Sequence, residues 1–121
     1  MARITHFEIP ANDPEKLTAF YEKVFNWKFS RWGGPAEYWL AKTGEGEPGI
    51  DGAVMRRRHP EQPLVNSLAV TDVDDSVAAV LANGGSIAVP KMAVPGVGWL
   101  AYCKDPEGTI FGMMQNDPAA K

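Results

Sequence analysis

The chain has almost no cysteine: Cys103 stands alone among 121 residues. One thiol cannot form a disulfide within the chain or build a cysteine-based zinc site, and such sparse use fits a reducing compartment. Long apolar runs are missing too. The opening "MARITHFEIP" carries no extended hydrophobic stretch of the kind that marks a signal peptide, and no segment approaches the roughly 20 residues of a membrane span. These absences predict a cytoplasmic protein with no membrane partner. Basic charge is scarce: 12 Lys and Arg against 15 Asp and Glu give a formal net charge of −3. Nucleic-acid partners usually demand a basic face, so none is expected. The one basic run, "RRRH" at 56–59, reads as a solvated strand end. No G-x-S-x-G elbow is present, and "TGEGEP" at 43–48 is not a phosphate loop. It lacks the required Lys-[Ser/Thr], and its two glutamates would repel phosphate. It reads as a hairpin loop.

What is present is a pattern stated twice. "RITHFEI" alternates, with Thr5, Phe7 and Ile9 on one face and Ile4, His6 and Glu8 on the other. Asp13 then suits an N-cap and Pro14 the first helical position. Leu17, Phe20, Tyr21 and Val24 have the spacing of an amphipathic helix. Three strands follow: "NWKFSRW", "EYWLAK" and "IDGAVMRR", with Gly52 marking a bulge or close approach. After "HPEQP" at 59–63 the order repeats. "LVNSLAV" is a strand, and Val73, Val77, Val80 and Leu81 form a helical stripe closed by Gly84 and Gly85. Then come "SIAVP", "WLAYCK" and "TIFGMMQ". Each half is strand, helix, three strands. The expected fold class is α+β: a single domain over 1–121 made of paired βαβββ modules, about 3–58 and about 63–116, forming a cupped mixed sheet with helices outside. Phe7 and Ile9 should pack under a helix, and His6 and Glu8 should face the cup.

The segments "THFEIPANDPEKLTAFYEKVFNWKF", "LAVTDVDDSVAAVLANGG" and "GVGWLAYCKDPEGTIFGMMQ" together make the chain resemble the vicinal oxygen chelate superfamily. That group contains glyoxalase I, bleomycin-resistance proteins, fosfomycin-resistance enzymes and extradiol dioxygenases. The resemblance implies the paired βαβββ fold, a homodimer, and a divalent metal held by a first-strand histidine, a donor opening the second half and a glutamate on the last strand. His6 matches the first ligand and is the only residue to do so. The glutamate position falls on Gly112, the second-half position on Val65 or Asn66, and the first-half glutamate position near Val54 or Met55. The expected metal ligand set is therefore none, and the expected cofactor none, with a divalent metal as the alternative.

The candidate catalytic residues are His6 and Glu8, two apart on one strand. Glu8 would raise the His6 pKa by charge pairing. The candidate ligand-binding residues are Trp39, Met55, Asn66, Trp99 and Tyr102, because aromatic walls with a few polar groups suit a small apolar ligand. Core packing or a dimer seam is the plain alternative for each. Two functions remain. One is a metal-free small-molecule binder, favoured by the missing ligands. The other is a metal-dependent glyoxalase-like lyase or isomerase, or a dioxygenase, using His6 and Glu8, favoured by the surviving histidine. A third option is a subunit whose cup completes a partner's site.

Overall fold

The computed structural model describes residues 1–121 and divides the chain into two compact units. One is Thr5–Leu64; the other is Val65–Lys121 together with Met1–Ile4. Each carries the strand–helix–three-strand order that the sequence repeats.

In the first unit the elements are β1 (Arg3–Ala11), α1 (Pro14–Phe25), β2 (Lys28–Arg31), β3 (Tyr38–Lys42) and β4 (Gly52–Arg56). The strands run in the order β2-β3-β4-β1, with β1 parallel to β4 and the other neighbours antiparallel. The polar break after β1 starts α1 as its residue types require. The Asp13 side chain accepts a hydrogen bond from the Lys16 amide at 3.1 Å, and Pro14 occupies the first turn, where it needs no donor. Asn26 ends the helix in the left-handed region at φ 61°.

Helix α1 covers one face of this sheet through an aromatic stack. Tyr21 lies flat on Trp27 with ring centroids 4.5 Å apart, and Trp27 in turn contacts Phe7 and Phe29. Phe7 therefore points toward the helix, as alternation predicts. The expected helical stripe is only partly right. Pro14 and Thr18 are the buried α1 positions, whereas Phe20 and Val24 are about half exposed (51% and 55%). The period fixes the stripe's width but not which edge of it meets the sheet.

The second unit has β5 (Val65–Ala69), α2 (Val73–Ala82), β6 (Ser86–Val94), β7 (Gly98–Lys104) and β8 (Ile110–Asn116). Its order is β5-β8-β7-β6, with β5 parallel to β8 and the other neighbours antiparallel. Val73, Ala101, Cys103 and Met113 form its core, with Val77, Val80, Trp99 and Phe111 packed around them. Cys103 is fully buried, and burial pushes its thiol pKa up. It acts as a small core residue. Leu81, expected on the buried stripe, is exposed. Strand β6 runs beyond Pro90 because it pairs only with β7, and its register shifts between Val89 and Met92.

Gly52 marks a close approach. A Cβ there would lie 2.5 Å from both the Phe7 ring and the Phe7 carbonyl oxygen. Gly49 faces open space. Gly52→Ala should destabilise the protein by about 1–3 kcal/mol in urea denaturation, the usual cost of overpacking. Gly49→Ala should stay within about 0.5 kcal/mol. Equal midpoints for the two variants would show that β1 and β4 are not held this closely.

Candidate functional site

With Phe7 committed to α1, pleating sends His6 and Glu8 to the opposite, helix-free face of the Thr5–Leu64 unit. Register then decides what joins them. Glu8 pairs with Ala53 and Ala53 with Leu40, while Met55 pairs with Pro10 and with Tyr38. Tyr38, Leu40, Ala53 and Met55 thus share the face of His6 and Glu8. Tyr38 starts two strands away from β1, so its side chain must cross β4. The same-face residue there is Ala53, fully buried and too small to block it.

The Tyr38 hydroxyl ends between the two first-strand side chains. It lies 2.7 Å from His6 Nε2 and donates to Glu8 Oε2 at 2.8 Å. The His6 and Tyr38 rings are nearly parallel, 12° apart, and Trp32 packs edge-on against Tyr38. Trp32 folds over Gly34, where a Cβ would sit 2.1 Å from the indole, so the glycine turn helps to hold the tyrosine. A phenol has one hydrogen. With that hydrogen directed to Glu8, the His6 contact is a hydrogen bond only if Nε2 carries a hydrogen and donates. A neutral His6 then has its lone pair on Nδ1.

Electrostatics support the neutral form. Burial of the ring is the largest effect and lowers the His6 pKa; the carboxylates of Glu8 and Asp51 pull upward and are outweighed. The expectation that Glu8 would raise this pKa is corrected: the charge pairing is present, but desolvation of the imidazolium is stronger. Glu8 itself is 9% exposed, a buried carboxylate that needs the donors it has.

Beside His6 the helix-free face holds a groove of about 460 Å³, lined by Lys28, Ser30, Leu40, Lys42 and Asp51 among others. These residues, and the bridging role of Tyr38, are what the sequence reading missed. The signal was the alternation of "EYWLAK": Tyr38 and Trp39 are adjacent, so one must face each side.

Of the expected ligand contacts, Met55 shares the face of His6 and accepts from Gln62 Nε2 at 3.8 Å. Trp39 pairs with Val54 on the α1 side, with the Arg31 guanidinium 4.9 Å over its ring. In the other unit, Trp99 packs against the α2 core, and its Nε1 donates to Asp117 at 3.0 Å. Asn66 is exposed and pairs with Phe111, on the α2 side. Tyr102 lies on the face away from α2, against Gly112.

The family-type metal does not fit these residues. No three His, Cys, Asp or Glu side chains gather into a group able to hold a metal ion. His6 Nε2 is engaged by Tyr38. At Gly112, where the resemblance expects a glutamate, a Cβ would meet Ser67 Oγ at 2.3 Å and Tyr102 Cε1 at 3.3 Å. Any side chain there would have to displace the Ser67 hydroxyl.

The comparisons agree with this fold. A family model described as "Glyoxalase/Bleomycin resistance protein/Dioxygenase superfamily" matches residues 3–113. A curated protein of Mycobacterium bovis, "Putative glyoxylase CFP32", is 30% identical over 118 residues, covering 92% of this chain. The chain spans only 43% of that relative's length. Among solved structures, a single-substitution variant of Streptomyces coelicolor methylmalonyl-CoA epimerase, in complex with 2-nitronate-propionyl-CoA, superposes with a TM-score of 0.71 at 12% identity, over 98% of this chain and 97% of that one. A superfamily member from Vibrio splendidus 12B01 gives 0.67 at 14% identity, over 97% and 100%. At such identity the likeness is one of fold.

The lowered His6 pKa makes a signed prediction. The unfolded chain takes up the His6 proton near pH 6.5, before the folded chain does, so acidification below that point favours unfolding. Stability from urea midpoints should fall between pH 7.5 and 5, and fall less in His6→Gln. Tyr38→Phe should cost about 1–2 kcal/mol at pH 7.5 by removing the bridging hydroxyl. A His6→Gln variant with the same pH slope would contradict the burial argument.

Proposed function

Because this chain belongs to the Glyoxalase/Bleomycin resistance protein/Dioxygenase superfamily, we propose that it binds a small organic molecule in the groove beside His6, and does so without a metal cofactor. The observation that carries this reading is the His6–Tyr38–Glu8 hydrogen-bond chain. It engages the one family-position ligand at the nitrogen atom that faces Tyr38. A groove of about 460 Å³ lies within the usual range of small-molecule sites. Neutral His6, with its lone pair on Nδ1, offers the ligand a hydrogen-bond acceptor.

A second reading has its own support. The relatives bear the names of enzymes, a glyoxylase and an epimerase. A neutral imidazole held at Nε2 by Tyr38, with its lone pair on Nδ1, is oriented to act as a general base. In this reading His6 Nδ1 takes a proton from the ligand and returns it to a different position or face, with no net oxidation. The wider proposal is a cytoplasmic homodimer. The buried, unpaired Cys103 supports the compartment. The open edges of β2 and β6, each paired on one side within its unit, support self-association.

Elemental mass spectrometry after incubation with zinc, nickel, manganese and iron should find no stoichiometric metal. A thermal-shift screen of small organic molecules should find ligands whose stabilisation is weakened in His6→Ala. One metal equivalent that is lost in His6→Ala would overturn the reading. Turnover of a bound ligand that drops by orders of magnitude in His6→Ala, with binding largely retained, would select the proton-transfer reading.

A further inference from the structure

The helix-free face of the Thr5–Leu64 unit carries a charge arrangement that packing alone does not explain. Lys28 and Lys42 are directly paired across β2 and β3. Like charges placed directly opposite on one sheet face destabilise the pair. Both lysines line the same groove as His6. Continuing the observed register by one step beyond Ala41–Gly52, and by two beyond Glu8–Ala53, sets His6, Asp51, Lys42 and Lys28 in a single row across the strands. Strand spacing puts the backbone of Lys42 roughly 10 Å from that of His6. Lysine stems are long enough to bring either ammonium over the groove floor, where Leu40, 41% exposed, offers apolar surface.

The present partners of these charges show what they accept. Lys42 Nζ holds the carboxylate of Glu45. That carboxylate sits on a loop between Gly44 and Gly46, the latter in the left-handed region at φ 79°. Lys28 Nζ donates only to the neutral Asn26 side chain, at 3.1 Å, and has no carboxylate partner. Asp51, the acidic member of the row, is occupied at its Oδ1 by the Thr43 amide at 2.9 Å and the Thr43 hydroxyl at 3.3 Å.

Resting on the small-molecule reading above, we propose that the ligand is an organic anion. Its carboxylate or phosphate sits between Lys28 and Lys42, its apolar body lies over Leu40, and its far end meets His6. Glu45 is the chain's own competitor for the anion seat and leaves Lys42 when the ligand arrives.

The test titrates the isotope-labelled chain with phenylbutyrate, phenyl phosphate and the neutral phenylbutyramide, following backbone amide NMR signals. At least one anion should shift the signals around Lys28, Lys42 and His6 saturably; which one does so separates a carboxylate seat from a phosphate seat. Binding should weaken roughly ten-fold or more in Lys28→Glu/Lys42→Glu, recover in Lys28→Arg/Lys42→Arg, and fall with added salt. Glu45→Gln should tighten it. Amide signal dispersion confirms that each variant folds. If phenylbutyramide binds the groove as well as the anions do and the charge reversals change nothing, the anion seat is wrong while groove binding stands. If none of the three probes shifts the groove signals, the anion proposal and the binding site fall together.

Discussion

A phenol hydroxyl has one hydrogen to give, and at Tyr38 two groups stand within reach of it. Glu8 Oε2 takes it at 2.8 Å, which obliges His6 Nε2 at 2.7 Å to be the donor on the other side. The tautomer of His6, the position of its lone pair and its unsuitability as a metal ligand through Nε2 all follow from that allocation. Burial reinforces it by disfavouring the imidazolium. His6 is thereby committed to hydrogen bonding through Nε2.

The allocation depends on backbone geometry more than on side-chain chemistry. Tyr38 reaches Glu8 across β4 because Ala53 stands between them, and β4 comes close to β1 because Gly52 has no Cβ to meet Phe7. Aromatic packing of Phe7, Trp27 and Tyr21 on the other face fixes which side α1 covers. The second unit is close-packed in the same way. Ser67 and Tyr102 crowd Gly112 from both neighbouring strands.

Much of this was legible in the sequence. Alternation in "RITHFEI" put Phe7 under the helix and His6 with Glu8 on the opposite face, and the Asp13–Pro14 pair located the start of the first helix. The strand order within each unit fits the paired βαβββ expectation. Three things were not legible. The partner of His6 lies 32 residues away, and nothing local says that Tyr38 rather than Trp39 faces the histidine. The sign of the His6 pKa shift is a contest between charge and burial, and burial appears only in the folded unit. The Lys28–Lys42 pair exists only in the register of β2 against β3. Periodicity assigns residues to alternate sides within a strand, but it does not align one strand with the next.

The most direct measurement is imidazole-nitrogen NMR of His6 at pH 7.5, with His59→Gln removing the other histidine's signals. The account predicts a neutral ring protonated at Nε2, with that signature disturbed in Tyr38→Phe. A ring protonated at Nδ1 with Nε2 unprotonated, or an imidazolium at this pH, would contradict it and return His6 to the pool of metal ligands.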